Sequence, residues 1–185
     1  MKSIFYCKHP IKAALAVLYF LRIGGLVYAQ SGFPVPQGNP NQLIYLQRTP
    51  NTNTIVCELN FTRDGKLDVD DPVHVFWIRY GEQGQRAELS FLQRNFAYGV
   101  KTKFLSKDRY ELHFVSYKKL VMYLVRAADN KYHVVTSINQ KQVILNRIFI
   151  KINPGGSFWS PNVEYIELAG TEPGSGMEVL ERRKV

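Results

Sequence analysis

The chain has 185 residues, of which 24 are basic and 15 acidic, giving a net charge of +9. This length is sufficient for a single domain that buries most of its apolar surface, so the fold needs no disulfide framework. The two cysteines, Cys7 and Cys57, are too few for a cysteine-rich scaffold.

The N-terminal 29 residues have the pattern of a secretory signal peptide. Basic residues precede an apolar run at 13–21, and Val27-Tyr28-Ala29 supplies a small-residue cleavage site. The run is short and Arg22 interrupts it, which disfavours a permanent transmembrane helix. We therefore predict that residues 1–29 are removed and that the mature protein is exported, either to the periplasm or out of the cell.

Cleavage would change the charge and the cysteine content. Four basic residues would leave with the leader, so 20 basic and 15 acidic residues would remain, a net charge of +5. Cys7 would also leave, and Cys57 alone cannot form an internal disulfide. Because export removes the usual nucleic-acid partners, the basic excess predicts either a solvated strand face or a peripheral contact with anionic membrane or glycan. The residues considered for that contact are Lys101, Lys103, Lys118 and Lys119.

The mature chain is predicted to be a flexible arm followed by one β-rich domain. Residues 30–42 are rich in proline, glycine and amides, which is typical of a mobile arm. From residue 43 to residue 185 the dominant hydrophobic period is two. In the first strand Ile55, Cys57, Leu59 and Phe61 share a face, which predicts a buried, inert Cys57.

Both faces of the stretch from Val73 to Tyr80 are apolar, so we expect a central strand covered on two sides. One short helix near residues 90–98 is the candidate for the second cover. Ser90 and Gln93 have the spacing of a capping box, and Gly99 occupies the position of a left-handed C-terminal cap.

The remaining chain predicts a meander of hairpins. Its expected strands lie at 100–105, 109–117, 120–127, 132–138, 141–153, 163–168 and 179–182, with a break at Pro154-Gly155-Gly156. The fold class is therefore mainly β, an antiparallel β-sandwich or a closed β-barrel of about ten strands.

Several segments together resemble a known family. They are Arg48-Thr49-Pro50-Asn51-Thr52-Asn53, Asp64-Gly65-Lys66-Leu67-Asp68, Pro72-Val73-His74-Val75-Phe76-Trp77-Ile78, Glu88-Leu89-Ser90, Gln93-Arg94 and Ala97-Tyr98-Gly99. Their order is similar to that of the exported bacterial family known as domain of unknown function 4833, over about residues 45–182. The resemblance implies a small exported β-rich domain and supplies no activity, ligand or catalytic residue.

The segment from Asn60 to Asp71 spaces oxygen ligands and a glycine much as a twelve-residue calcium loop does. A strand precedes it and Pro72 opens another, whereas helices flank a calcium loop of that type. A hairpin turn around Asp64-Gly65 is the competing interpretation. Calcium binding and a simple turn both remain open.

No catalytic motif is present, and we predict no cofactor and no metal. Glu111 and His113 share a strand face, which would suit an acid/base pair, but a surface hydrogen-bonded pair has the same pattern. The alternative function is an envelope-directed hydrolase that uses Glu88 or Glu111 with a histidine.

The favoured function is a non-catalytic binding domain for a small amphipathic ligand, a glycan or an envelope partner. Exposed aromatic and arginine side chains would shape its site. The predicted ligand-binding residues are Arg79, Arg94, Tyr98 and Trp159. Arg48, Glu88 and Arg94 could each be a ligand contact or a member of a structural ion pair.

Overall fold

The computed structural model describes residues 32–157 and 159–185, so the predicted leader at 1–29 lies outside the described residues. The protein is mainly β, with 59% of residues in strands, and its eleven strands form one sheet that is not closed. The strands are β1 Gln42–Arg48, β2 Thr54–Leu59, β3 Val73–Arg79, β4 Gln85–Glu88, β5 Val100–Ser106, β6 Arg109–Phe114, β7 Tyr117–Arg126, β8 Tyr132–Ile138, β9 Lys141–Gly156, β10 Pro161–Thr171 and β11 Glu178–Lys184.

Two short helical segments interrupt the strands. Tyr80–Glu82 is a 3₁₀ turn, and Gln93–Ala97 is a π-helical segment that fulfils the prediction of one short helix near residues 90–98. Within the described part of the chain, no helix has the length and apolar character that a membrane span requires.

The sheet divides into two arms at β9. Its neighbours run in the order β4-β3-β2-β1-β9-β8-β7-β6-β5, and β10 lies between β9 and β11. Residues 147–150 pair with both β1 and β10, whereas Ile144 pairs with both β8 and β10. Because a strand has only two edges, β10 occupies one edge of β9, and β8 and β1 share the other. The arms are therefore β1–β4 and β5–β8, and their outer strands, β4 and β5, do not pair.

The pairing of β1 with β9 is parallel, an exception that the prediction of a predominantly antiparallel fold did not locate. The two strands are about a hundred residues apart, so no hairpin turn constrains their direction, and sequence periodicity carries no information on it. Strand β9 also continues through the expected break and ends at Gly156.

One hydrophobic core joins the two arms. Leu145 pairs with Gly170 and Arg147 with Ala169, so Asn146 between them has no partner on β10 and forms a bulge. Because of this extra residue, Leu145 and Ile148 face the same core. A Cβ atom on Gly170 would lie 2.2 Å from the carbonyl oxygen of Ile144, so only glycine fits beside this bulge. The core includes Ile44, Leu46, Ile55, Cys57, Val75 and Trp77 from one arm and Tyr110, Leu112, Met122, Leu124 and Val134 from the other.

The outer face of the β1–β4 arm is covered as well. Val56 and Glu58 of β2, which the alternation places toward solvent, are both buried, whereas Phe61 is 41% exposed. Phe76 of β3 is buried beneath the Arg86 guanidinium, whose carbon lies 3.6 Å from the ring centroid. We expected the helix to cover the second face of β3. On this face a charged side chain of β4 covers Phe76 instead.

The segment before β1 contacts the sheet. The ring of Phe33 packs edge-on against Phe149 at 5.3 Å between centroids, and the Gln47 side-chain amide donates to the Pro34 carbonyl at 2.8 Å. Pro36 is buried. These contacts lie within the predicted arm at 30–42, whose mobility stays a prediction.

Candidate ligand-binding site

Arg48 ends β1 with its guanidinium beside two aromatic rings that contact each other. Its central carbon lies 5.7 Å from the centroid of the Trp77 ring and 5.3 Å from that of Tyr98. The Nε atom is buried and has no hydrogen-bond partner. Among the described residues, no carboxylate forms an ion pair with this side chain. Arg48 is therefore a cation held by π-systems, with no counter-charge in that part of the protein.

The backbone after Arg48 is fixed on β9. The Thr49 hydroxyl donates to the Ile152 carbonyl at 2.8 Å and accepts from the Ile152 amide at 2.8 Å. The Thr49 amide donates to the Ile150 carbonyl at 3.1 Å, and the Thr49–Pro50 peptide bond is cis. The three hydrogen bonds of Thr49 fix the backbone at the end of β1, and so they hold the start of the Arg48 side chain in place.

Trp77 is tied to the helical segment by the predicted capping box. The Ser90 amide donates to Gln93 Oε1 at 3.0 Å, and the Gln93 amide donates to Ser90 Oγ at 3.3 Å. The same Oε1 atom accepts from the Trp77 indole at 3.3 Å. One glutamine oxygen thus caps the segment and orients the indole that lies beneath Arg48.

Gly99 lets the chain turn from the helical segment into β5, but for a different reason than predicted. Its φ angle lies outside the left-handed region, so the predicted left-handed cap is wrong. A Cβ atom at Gly99 would lie 1.8 Å from the Arg94 carbonyl oxygen. Glycine is required here because the two backbone segments approach so closely.

Tyr98 contacts Arg48 and also lines a small apolar cavity of about 50 Å³. Its ring meets Trp77 edge-on, with 5.1 Å between centroids and 77° between planes. Burial raises the pKa of Tyr98, and the Arg48 charge offsets part of that rise, so the phenol is neutral at physiological pH. The cavity is lined by Leu46, Ala97, Tyr98, Phe114, Ser116, Tyr117, Leu120, Ile148, Ile150 and Ile166.

The unpaired state of Arg48 contrasts with that of other arginines. Arg147 and Arg182 both bind the fully buried Glu167, at 2.5 and 2.7 Å, and Arg86 binds Glu58 at 2.6 Å. Arg79, Arg94, Arg126 and Arg183 also have carboxylate partners. The described part of the chain thus supplies counter-ions to most of its arginines but not to Arg48.

A model of a family described as domain of unknown function, DUF4833, matches residues 44–182. The chain belongs to the DUF4833 family. Neither a curated protein nor a solved structure matches the chain. The match confirms the family resemblance read from the sequence motifs. It covers Arg48, Trp77, Gln93 and Tyr98, so the whole Arg48 site lies inside the DUF4833 domain.

A second and larger cleft in the DUF4833 domain lies between β3 and β5. Its volume is about 170 Å³, and Asn60, Asp71, His74 and Arg94 are among its lining residues. His74 Nε2 lies 2.8 Å from Glu88 Oε2, and the Arg94 guanidinium lies 3.5 Å from the same oxygen. The lining of this cleft mixes these polar and charged residues with Val73, Val75 and Val100, whereas the cavity beside Tyr98 is lined mainly by apolar residues.

The four predicted ligand-binding residues do not form one site. Tyr98 lies at the Arg48 site, and Arg94 lines the polar cleft. Arg79 pairs with Glu82 at 3.0 Å and lines neither space. Trp159 is 66% exposed and packs edge-on against Phe96, with 5.9 Å between centroids.

Arg48 and Trp77 are not among the ligand-binding residues predicted from the sequence. Arg48 has two interpretations there, a ligand contact or an ion-pair member, and Trp77 lies in the stretch predicted to be a central, covered strand. One available signal is the register of β1, because a residue two positions after Leu46 continues the core-facing side of the strand. A cationic side chain at the end of a strand's core-facing side needs either a counter-charge or a position at the mouth of a pocket.

The remaining candidates have ordinary roles in the structure. Among the described residues, no group of three or more potential ligands could hold a metal ion. In the segment considered for calcium, Asp68 Oδ1 accepts from the amides of Asp70 and Asp71, and Thr62 bonds to Asp64. Burial raises the pKa of the Cys57 thiol to about 12, so the thiol is protonated and unreactive.

Glu111 and His113, which the sequence offers as an acid/base pair, each lie opposite a lysine where β6 pairs with β5. His113 lies opposite Lys101, and Glu111 lies opposite Lys103. Lys118 and Lys119 lie near the start of β7, the next strand of the same arm. This arm therefore carries a mixed-charge outer face with a basic excess.

Proposed function

We propose that the DUF4833 domain is an exported, non-catalytic binding module for a small amphipathic ligand with an anionic head group. The observation that carries the proposal is the Arg48 guanidinium, which has a buried, unpartnered Nε and lies against both Trp77 and Tyr98. In this arrangement the ligand's head group supplies the counter-charge that the described residues lack. The export part of the proposal is supported by the signal-peptide pattern of residues 1–29.

The charge argument favours an anion. Burying part of a cation costs free energy unless hydrogen bonds and a counter-charge compensate. Two aromatic rings compensate partly, by about 0.5–1 kcal/mol each at partly exposed sites. A carboxylate or phosphate would complete the compensation, because a guanidinium can donate two parallel hydrogen bonds to either group.

The surroundings favour a ligand that also has an apolar part. The cavity beside Tyr98 is lined mainly by aliphatic and aromatic side chains, and Ser116 is its non-aromatic polar residue. At about 50 Å³ the cavity accommodates a small apolar group and not a whole lipid chain. We therefore expect a short amphipathic carboxylate or phosphate ester, with the rest of the molecule lying outside the cavity.

The test is calorimetry of the full chain with octanoate and octyl phosphate, with acetate and octyltrimethylammonium as comparison ligands. We expect the two long-chain anions to bind, acetate to bind more weakly because it lacks the apolar part, and the cation not to bind. Arg48→Gln should reduce octanoate affinity by at least about tenfold, since a charge-assisted hydrogen bond contributes about 1.5–3 kcal/mol.

The matched control is Arg109→Gln. Arg109 also lies over an aromatic ring, at 5.3 Å from the centroid of Tyr123, but on another part of the sheet. It should leave octanoate affinity unchanged. Equal loss in both variants, or binding of the octyl cation as tightly as of octanoate, would contradict the proposed site.

We propose further that the two arms form a sandwich and not a barrel. The support is that side chains of both arms share one core while the path of hydrogen-bonded strands ends at β4 and β5. Amide hydrogen exchange tests this reading. The outward amides of β5 should exchange quickly if β5 is an open edge, whereas slow exchange there would support a closed barrel.

A hydrolase is the second candidate function, and one observation favours it. The His74–Glu88 pair, with 2.8 Å between Nε2 and Oε2, lies at a cleft of about 170 Å³. The lining residues include no serine, threonine or cysteine, so His74 would have to activate a water molecule. Hydrolysis of 4-nitrophenyl esters or glycosides that disappears in His74→Gln and persists in His133→Gln would support this function.

A further inference from the structure

Four large apolar side chains form an exposed cluster beside the Arg48 site, which we call the aromatic patch. It consists of Phe91, Leu92, Phe96 and Trp159, which are 76%, 50%, 55% and 66% exposed. The rings of Phe96 and Trp159 meet edge-on, although they come from segments more than sixty residues apart in the chain. Single exposed apolar residues need no explanation, but several large apolar side chains exposed on one short segment, with a tryptophan from another loop packed on one of them, favour an interaction surface.

The helical segment presents this patch outward because of its π-helical turn. The Tyr98 amide donates to the Gln93 carbonyl five residues earlier, at 2.8 Å. In such a turn, residues four and five positions apart share a side, so Leu92 and Phe91 lie on the side of Phe96. Gln93, in contrast, points inward to the indole of Trp77. The segment is therefore amphipathic, with one side on the protein and the other exposed.

Basic residues lie on the chain segments that adjoin the helical segment of the patch. Lys118 and Lys119 follow the β6–β7 turn, which is held against the helical segment by a hydrogen bond from the Ser116 hydroxyl to the Ala97 carbonyl. Lys101 lies near the start of β5, which follows the segment directly. Within the segment itself Arg94 is 53% exposed, and its partner Glu88 also pairs with His74.

We propose that the aromatic patch and its basic surroundings form a docking surface for an anionic lipid bilayer. Aromatic side chains favour the headgroup region of a membrane, and nearby lysines and arginines are attracted to anionic lipids. A second copy of the chain is the less suitable occupant, because face-to-face association would bring two identical basic rims together. This inference goes beyond the proposed ligand site and stands independently of it.

The two tryptophans provide the readout. Trp159 is exposed and Trp77 is 5% exposed, so a change of environment at the patch appears in the Trp159 emission. The experiment mixes the full chain with vesicles of phosphatidylcholine alone or of equal parts phosphatidylcholine and phosphatidylglycerol. We expect a blue shift with the anionic vesicles, quenching by brominated lipid, and loss of both in Trp159→Phe.

Matched variants separate the patch from the apolar leader at 13–21, which could bring the chain to vesicles by itself. Phe91→Ser with Phe96→Ser should weaken vesicle partition by at least about tenfold, and Lys118→Gln with Lys119→Gln by about tenfold. The control is Phe104→Ser, which removes a 61% exposed phenylalanine from β5. Circular dichroism and melting temperature confirm that each variant is folded.

Three outcomes would overturn the proposal. They are an unshifted Trp159 emission with anionic vesicles, a partition that the patch variants leave unchanged, and a shift that depends on protein concentration without lipid. The last result, together with a dimer mass in light scattering, would assign the patch to contact between copies. Because Arg48→Gln should bind vesicles normally, failure of this proposal and failure of the ligand site are distinguishable.

Discussion

The stability of the unliganded Arg48→Gln variant is the prediction that most directly tests the Arg48 site. The substitution removes two cation–π contacts, with Trp77 and Tyr98, which together contribute about 1–2 kcal/mol. It also removes a buried, unpartnered Nε, whose presence costs about 1–3 kcal/mol. The two effects have opposite signs, so we expect the free energy of unfolding to change by between a loss of about 1 kcal/mol and a gain of about 2 kcal/mol.

The assay is urea unfolding followed by circular dichroism, with Trp77→Phe as a second variant. If Arg48 had a structural role, the substitution would lower the free energy of unfolding by more, because breaking a buried ion pair costs about 3–5 kcal/mol. If Arg48→Gln lost about 3 kcal/mol or more, Arg48 would be part of the structural framework and not a group awaiting a ligand. Addition of octanoate should raise the melting temperature of the parent protein and leave that of Arg48→Gln unchanged.

Three further predictions concern the framework around the site. Glu167→Leu should destabilise the protein by about 3 kcal/mol in urea unfolding, because it leaves Arg147 and Arg182 without the buried carboxylate that both bind; a change below about 1 kcal/mol would contradict this. Gly99→Ala should cost about 2 kcal/mol or more and weaken octanoate binding, since its Cβ would lie 1.8 Å from a carbonyl oxygen of the preceding turn; wild-type stability would show that the turn can relax. Because burial raises the pKa of Cys57 to about 12, reaction with a thiol reagent near neutral pH should be slow in the native protein and fast in urea, and rapid native labelling would be inconsistent with a buried thiol.

Much of the fold follows from local pattern. The alternation of β2 places Cys57 in the core, and the Ser90–Gln93 spacing gives the capping box that the structure contains. Each depends on residues that are neighbours in the chain, so periodicity and spacing are sufficient to predict them. The same reasoning misplaces Val56 and Glu58, because their burial depends on covering groups from distant segments.

The candidate site was predictable only in part. Of the four predicted residues, Tyr98 contacts Arg48, whereas Arg79, Arg94 and Trp159 lie elsewhere. Expected exposure, charge and aromaticity identify the residue types that suit a binding site, but they do not show which of these residues lie close together in the fold. Whether an arginine has a carboxylate partner depends on which strands lie beside it, as Arg86 with Glu58 of β2, and Arg48 with no counter-ion among the described residues, illustrate.

By itself, the sequence determines that this chain forms short strands with a helical segment near residues 90–98, and its motif order is sufficient to indicate its family. Only the tertiary structure decides that β1 lies parallel to β9, that the sheet divides into two arms there, and that Arg48 meets Trp77 and Tyr98. The physical reason is the range of the interactions. Strand formation and capping are local, whereas strand partners and counter-charges come from residues tens of positions away, which no local pattern encodes.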